Sequence, residues 1–341
     1  MRKTSGLIAS VALLGASLFV GPAASASPVS ITGGGSSFAG GIFTACAAAY
    51  TTNTVTYTPS SSGTGRSAFA NGSITFAGSD AGYGATDKKP SGFTYVPVIG
   101  GPVAIVFNVP GVRSLNLDAA TVGAIFNGKI TKWNDAAIKK LNPRAALPDA
   151  TITPVYRSSN SGTTENFSNY LAQNKVAGWT KSGSWSTATG LSTPVGSGQS
   201  TSALLADKVE STTNSIGYAD LVDVKKKALP AAALRNGSGQ FVLPTAAAAA
   251  RYLAAQTVGV KDKGLVNIDF TKKVRGAYNL SILTYMIAPT DASDTAKALA
   301  VKDFAKYILN TCAPSKAADL GYVALTGSLK TTALRLTESI D

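Results

Sequence analysis

Ile152-Thr153-Pro154-Val155-Tyr156-Arg157-Ser158-Ser159-Asn160-Ser161-Gly162-Thr163-Thr164-Glu165-Asn166-Phe167 reads as a strand, a Ser/Gly/Thr turn and the start of a helix. The first backbone N–H groups of a helix have no intrahelical partner, and here they fall beside a guanidinium and several hydroxyls. An oxyanion would satisfy all of these donors together. Taken alone, the same residues also describe an ordinary capped turn with Arg157 directed at solvent. The choice between the two readings depends on whether the pattern recurs.

It recurs twice, nearer the N-terminus. Val29 to Thr32 alternates as a short strand and runs into Gly33-Gly34-Gly35-Ser36-Ser37. A helix is predicted to follow, with Phe38, Ile42, Phe43, Cys46 and Tyr50 at helical spacing and Ser36 or Ser37 as its cap. Thr54 to Thr58 is a second strand, leading through Pro59 into Ser60-Ser61-Ser62-Gly63-Thr64-Gly65 and a short helix over Arg66 to Ala70. A third strand, Ile74 to Ala77, stops at Gly78-Ser79-Asp80. Strand, polar loop, helix and strand in this order predict an α/β fold with a mostly parallel sheet, in which ligands sit at the carboxyl ends of strands. All three polar loops fall at such ends.

Further strands are predicted at Pro102 to Val109, Ser215 to Ala219 and Ile282 to Ala288. Helices are predicted after Asp118, over Asn134 to Leu141, Ser202 to Val209 and Thr245 to Ala255, and from Asp294. Residues 178 to 200, rich in Gly, Ser and Thr, are predicted to be irregular.

The N-terminus has the form of an export signal, with Arg2 and Lys3, an apolar stretch from Leu7 to Val20 and the small residues Ala24-Ser25-Ala26. Residues 1 to 26 are therefore set aside as a signal peptide, and the rest is expected to be exported and soluble: extracellular, wall-associated or periplasmic. No cysteine stands at the cleavage site, so no lipid anchor is visible. The remaining length exceeds the usual size of one core, and two domains are expected. The chain carries a formal charge of +13, which favours anionic surfaces or small anions without specifying either. Its lysines and arginines are scattered and no basic-aromatic stripe occurs, so nucleic acid is not an expected partner. Cys46 and Cys312 are the only cysteines. In an oxidising compartment a disulfide between them is expected, with two buried thiols as the alternative.

The chain has no histidine, which removes the commonest general base and metal ligand. Its sequence has no Gly-x-Ser-x-Gly elbow, no Walker-type phosphate loop and no carboxylate cluster at metal-ligand spacing. An enzyme is disfavoured, and no cofactor or metal is expected. Binding chemistry is well supplied, because the loops opening at Ser36, Ser60 and Ser161 allow three helix N-termini to converge on one anion. Asp80 is the odd member. A carboxylate repels an anion unless the ligand brings a proton, which monohydrogen or dihydrogen phosphate does and sulfate does not. Asp80 capping the turn Ala81-Gly82-Tyr83-Gly84 is the competing reading.

These segments, with Val98-Ile99-Gly100-Gly101 and Gly128-Lys129-Ile130-Thr131-Lys132-Trp133-Asn134-Asp135, together resemble the phosphate-binding proteins of bacterial high-affinity phosphate ABC transporters. That family lies in the solute-binding-protein superfamily, and the chain is more distantly similar to the DING proteins. The resemblance implies a two-lobe, periplasmic-binding-protein-like (type II) α/β fold with a hinge and a ligand cleft. Lobe 1 would comprise residues 27–105 and 284–341, and lobe 2 residues 106–283. It implies inorganic phosphate as ligand, held by Ser37, Phe38, Ser61 and Asp80 from one lobe and by Arg157, Ser161, Gly162 and Thr163 from the other. A membrane permease is the implied partner and a monomer the implied state. Relatives often carry an acidic residue two positions after the arginine, where this chain has Ser159, so Arg157 is expected to be less restrained. A binder of another oxyanion such as sulfate or molybdate, and a secreted surface protein that keeps the site, are the alternative readings.

Overall fold

A computed structural model describes residues 1, 27–257 and 262–341. Residues 2–26, which hold most of the predicted export signal, lie outside the described residues. The strands are β1 (Ser30–Ser36), β2 (Thr54–Ser60), β3 (Phe76–Ser79), β4 (Phe93–Asn108), β5 (Asn116–Leu117), β6 (Thr153–Arg157), β7 (Ser197–Gln199), β8 (Ser215–Asp220), β9 (Ala233–Arg235), β10 (Phe241–Val242) and β11 (Ser281–Pro289). The first helices are α1 (Gly40–Ala49), α2 (Ser62–Ala70), α3 (Ala119–Phe126), α4 (Ala136–Leu141), α5 (Gly162–Gln173) and α6 (Trp185–Thr189). They are followed by α7 (Ser202–Ser211), α8 (Leu221–Lys226), α9 (Ala246–Ala254), α10 (Thr295–Tyr307), α11 (Ala313–Lys316) and α12 (Gly327–Thr337), with a π-helical turn at Ile308–Cys312 between α10 and α11.

The main sheet runs β2-β1-β3-β11-β4-β8-β6-β7, and β10-β9-β5 form a small second sheet. Each half of the main sheet has its own parallel group, β2-β1-β3 in one and β8-β6-β7 in the other. The two central strands run against their neighbours, β11 antiparallel to β3 and β4, and β4 antiparallel to β8. The 16-residue β4 joins the halves. Its first part, through Pro102, pairs with β11, and its last part, Val103 to Asn108, pairs with β8. All but the last residue of this strand are buried, as its apolar run predicts for a strand covered on both faces.

Several predicted boundaries move, each for a tertiary reason. β1 continues through the three glycines to Ser36, so the predicted loop there is strand. The space is too tight for any other residue. A Cβ on Gly33 would lie 2.1 Å from the Phe76 ring, and Gly35, at φ +125°, would put one 2.2 Å from the Gly78 carbonyl oxygen. Helix α1 consequently begins only at Gly40, with Ala39 at its N-cap; Ser36, one of the two predicted caps, accepts the Ala39 N–H at 3.2 Å and so closes the turn that leads into the helix rather than the helix itself. Helix α2 starts at Ser62, earlier than Arg66, because the Ser61 hydroxyl accepts from the Thr64 N–H. The region 178 to 200 is not wholly irregular, since it contains α6 and β7. Elsewhere local chemistry sets the ends as predicted: Asp118 forms a capping box with Thr121, and Thr245 and Asp294 cap α9 and α10.

Cys46 of α1 and Cys312 of the π-helical turn form a disulfide across 266 residues of sequence, which decides between the two readings of the cysteines. Both are buried. Replacing the pair with alanine is expected to cost about 2–4 kcal/mol and to lower the melting temperature by roughly 5–10 °C while leaving anion affinity unchanged. A melting curve that does not move would show the bond to be energetically idle. No helix among the described residues is long and apolar enough to cross a membrane.

Candidate functional site

The carboxyl ends of β1, β2, β3 and β6 deliver Ser36, Ser60, Ser79 and Arg157 to the line where the two halves face each other. Asp80 follows β3 directly and is 4% exposed. It caps no turn. Its Oδ1 accepts from the Ser36 hydroxyl at 2.6 Å and the Thr284 hydroxyl at 2.7 Å. Its Oδ2 accepts from Thr163 at 3.3 Å and Ser62 at 3.4 Å. Burial raises the carboxyl above its ordinary value, against the opposing pull of the Ser36 and Thr284 hydroxyls, the Arg157 charge and the Thr163 hydroxyl.

Arg157 is 1% exposed, which excludes the solvent-directed reading. Its Nε donates to the Ser200 carbonyl at 3.1 Å, and one terminal nitrogen donates to the same carbonyl at 2.7 Å and to Ser159 Oγ at 3.1 Å. The other terminal nitrogen donates to Ser202 Oγ at 3.3 Å. The expectation that Ser159 leaves the guanidinium slack is therefore corrected. The Ser200 carbonyl, the Ser60 carbonyl at 3.5 Å and two hydroxyls hold it, and they do so without neutralising it. Burial lowers its pKa from the ordinary value, with Tyr218 and Asp80 opposing that change. Among the described residues, neither Arg157 nor Asp80 has an ion-pair partner within 4 Å. A buried cation and a buried anion thus face one cleft, each fixed by neutral groups.

The other predicted residues gather around these two. Ser37 lies in the turn before α1, and its Oγ accepts from the Ser202 N–H at 3.1 Å. Phe38 is present through its backbone only, since its ring packs edge-on against Tyr322 and its carbonyl accepts from the Tyr322 hydroxyl at 2.7 Å. The Ser61 and Ser161 hydroxyls accept from the Thr64 and Thr164 N–H groups, so each caps a helix; Ser161 keeps its own proton to donate, while Ser61 also shares a hydrogen bond with the Thr64 hydroxyl at 2.9 Å. Gly162 and Thr163 open α5, where the first N–H groups of the helix have no intrahelical acceptor. The starts of α2, α5 and α7 meet here, the last capped by Thr201, and the turn at residues 37–39 that leads into α1 lies beside them through the contact between Ser37 and Ser202. Asn166 of α5 crosses the cleft, donating to the Asp80 carbonyl at 2.7 Å and the Gly162 carbonyl at 2.9 Å.

Sequence reasoning missed Asn166, Ser200, Ser202 and Thr284 as members of the site; Ser36 and Ser62 lie in loops it placed there but were left out of the predicted ligand set. The Thr201-Ser202 pair before a predicted helix was a usable signal for α7, being another Ser/Thr-opened helix. Thr284 offered none, because it lies in the middle of an apolar strand.

Gly162 touches the opposite half closely. A Cβ there would lie 2.5 Å from Ser62 Oγ, 2.9 Å from Asp80 Cβ and 3.0 Å from the Asp80 nitrogen. Gly162→Ala is expected to oppose closure by about 2 kcal/mol and to weaken anion binding roughly 30-fold with little loss of stability. Calorimetry alongside small-angle scattering checks this, and an unchanged affinity would show that the halves need not approach so closely.

Among the described residues, no group of His, Cys, Asp and Glu side chains is placed to hold a metal ion. The arrangement is a receptor for a small anion: hydroxyls, helix-start N–H groups and a guanidinium around a single carboxylate.

The fold and the sequence both have known counterparts. A PBP superfamily domain profile matches residues 22–311. The chain is 33% identical over 307 residues to the phosphate-binding protein PstS of Xylella fastidiosa (strain Temecula1), covering 88% of this chain and 83% of that one. It is 32% identical over 287 residues to the phosphate-binding protein PstS 3 of Mycobacterium leprae, covering 81% and 76%. Two solved structures share the fold. A high-affinity periplasmic phosphate-binding protein (PfluDING) bound with phosphate superimposes with a TM-score of 0.72 at 20% identity, over 89% of this chain and 92% of that one. A phosphate-binding protein from Stenotrophomonas maltophilia gives 0.70 at 18% identity, over 90% and 93%. The two-lobe α/β architecture predicted from sequence is the one these proteins have, and the extent of the match to curated relatives means that the chain belongs to the PstS phosphate-binding protein family of the PBP superfamily.

Proposed function

We propose that this protein captures inorganic phosphate between its lobes and presents it to the permease of a phosphate ABC transporter. The observation that carries the reading is the pairing of buried Arg157 with buried Asp80 across one cleft, each without an ion-pair partner of its own. A ligand that suits both must be an anion that also carries a proton, and phosphate near neutral pH is such a species. The PstS names of the curated relatives support the same ligand.

In this reading lobe 1 comprises residues 27–105 and 284–341, lobe 2 comprises residues 106–283, and β4 and β11 carry the crossings. Ser37, the Phe38 backbone, Ser61 and Asp80 hold the anion from lobe 1. Arg157, Ser161, Gly162 and Thr163 close on it from lobe 2 by a hinge motion. No bond in the ligand is broken, and the site contains no general base beyond Asp80. The protein acts outside the cytoplasmic membrane as a monomer.

Calorimetry on the mature, phosphate-stripped protein, with sulfate as competitor, tests the reading. One site of micromolar affinity or tighter, about −8 kcal/mol or better, undisturbed by excess sulfate, is expected. Absence of binding, or equal displacement by sulfate, would overturn it.

A further inference from the structure

We propose that Thr284, together with Ser36, is a specificity-determining positioning residue: it occupies one oxygen of Asp80 so that the other is presented to the proton of the ligand. The inference rests on the phosphate reading above and extends it to two residues outside the proposed ligand set.

The two carboxylate oxygens of Asp80 are not equivalent. Oδ1 receives two short hydrogen bonds, 2.6 Å from Ser36 and 2.7 Å from Thr284, which fill its two acceptor directions. Oδ2 receives only long contacts, 3.3 Å from Thr163 and 3.4 Å from Ser62. Thr163 is itself in the proposed ligand set, and its hydroxyl can turn to an anion. Once it does, Oδ2 is the acceptor with capacity to spare. A carboxylate free to rotate would offer either oxygen to either neighbour, and a ligand without a proton could then be tolerated by turning a hydroxyl between them. Fixing Oδ1 removes that escape.

The backbone is built for this contact. β11 pairs with β4 in regular antiparallel register from Ser281 to Thr284, which faces Ile99, and then slips, so that Tyr285 faces Pro97. The irregularity lies between Thr284 and Tyr285. A bulge re-aims the side chain beside it, and here that side chain is a completely buried threonine in an otherwise apolar stretch, directed at the one buried carboxylate of the site. An unpaired hydroxyl at that position would be costly to bury, so Thr284 and Asp80 account for each other. β11 is also one of the two crossing strands, and the same contact ties Asp80 to the strand that joins the lobes.

Four variants test the proposal: Thr284→Val, Thr284→Ser, Ser36→Ala and Asp80→Asn. Phosphate and sulfate affinities are measured by calorimetry. The Asp80 carboxyl carbon is followed by NMR titration of the ligand-free protein, its resonance assigned by its loss in Asp80→Asn. The groups around Asp80 are Arg157 on β6, Tyr57 on β2, Tyr285 on β11 and Tyr322, and of these only Arg157 is charged over the pH range used. Thr284→Val, and Ser36→Ala to a similar degree, are expected to lose about tenfold in phosphate-over-sulfate preference and to titrate Asp80 at higher pH, while Thr284→Ser retains wild-type behaviour. Equal loss in the valine and serine variants would assign Thr284 a packing role and overturn the proposal. So would a valine variant with wild-type preference and titration. Should the wild type not bind phosphate, the phosphate reading falls by itself, and the titration still decides whether Thr284 holds Asp80.

Discussion

Phosphate affinity is expected to fall about a thousandfold when Arg157 is replaced by leucine. The guanidinium is the only cation built into the described site, and it is held by Ser159, Ser200 and Ser202 without a neutralising carboxylate. Its charge is therefore available to a ligand. Hydrogen bonds to charged groups contribute roughly 1.5–3 kcal/mol each, so losing a two-pronged contact costs about 4 kcal/mol, or three decades in affinity. Lysine is expected to recover only part of this, because a single ammonium cannot reproduce the planar fork. The fold should survive. The Ser200 carbonyl still accepts from Ser159 at 2.9 Å, and the substitution removes a buried charge that has no ion-pair partner. Calorimetry and a melting curve on the same sample separate the two effects, and near-normal affinity in a folded leucine variant would place the anion elsewhere.

Asp80→Asn is expected to remove most of the discrimination against sulfate, by about a hundredfold or more, while phosphate binding weakens roughly tenfold. With sulfate bound, the wild-type carboxylate would face an anion with no proton to share, and an uncompensated buried charge costs about 3–5 kcal/mol. Asparagine relieves this by presenting an amide donor. A variant that keeps the wild-type preference would exclude Asp80 from selectivity.

The same substitution has a signature in the ligand-free protein. Burial raises the folded-state pKa of Asp80 above its unfolded value. The folded protein therefore binds that proton more tightly than the unfolded chain does. The resulting stability is fully present below about pH 4, the unfolded value, and is lost as pH rises through the folded value. Asparagine never ionises. Thermal melts should find Asp80→Asn more stable than wild type near neutral pH, with the advantage shrinking as pH falls through the raised folded value and gone below about pH 4. An advantage that grew on acidification would contradict the burial argument.

Much of the site was legible because its parts are local patterns. Arg157 to Thr163 combines a strand end with a helix start within seven residues, and a capping hydroxyl followed by free N–H groups has the same meaning wherever the fold places it. Asp80 stood out for a chemical reason, as an acid among anion donors. The environment of each charge was not legible. Ser200 and Ser202 reach Arg157 from more than 40 positions away, and Thr284 reaches Asp80 across 204. The arrival of the α7 start in the site was also hidden, since Ser202 meets Ser37 and Arg157 only through the fold.

The sequence by itself determined the α/β alternation, most of the helix caps and the residue types that face the cleft, because these depend on backbone propensity and on hydrogen bonds between residues a few positions apart. The tertiary structure decided that Cys46 and Cys312 bond rather than remain two thiols, and it alone set the course of β4 from one half of the sheet to the other and the bulge that turns Thr284 toward Asp80. Those features depend on strand register and on close approach between distant segments. Register is set by the packing of whole faces, so no short stretch of the chain records it.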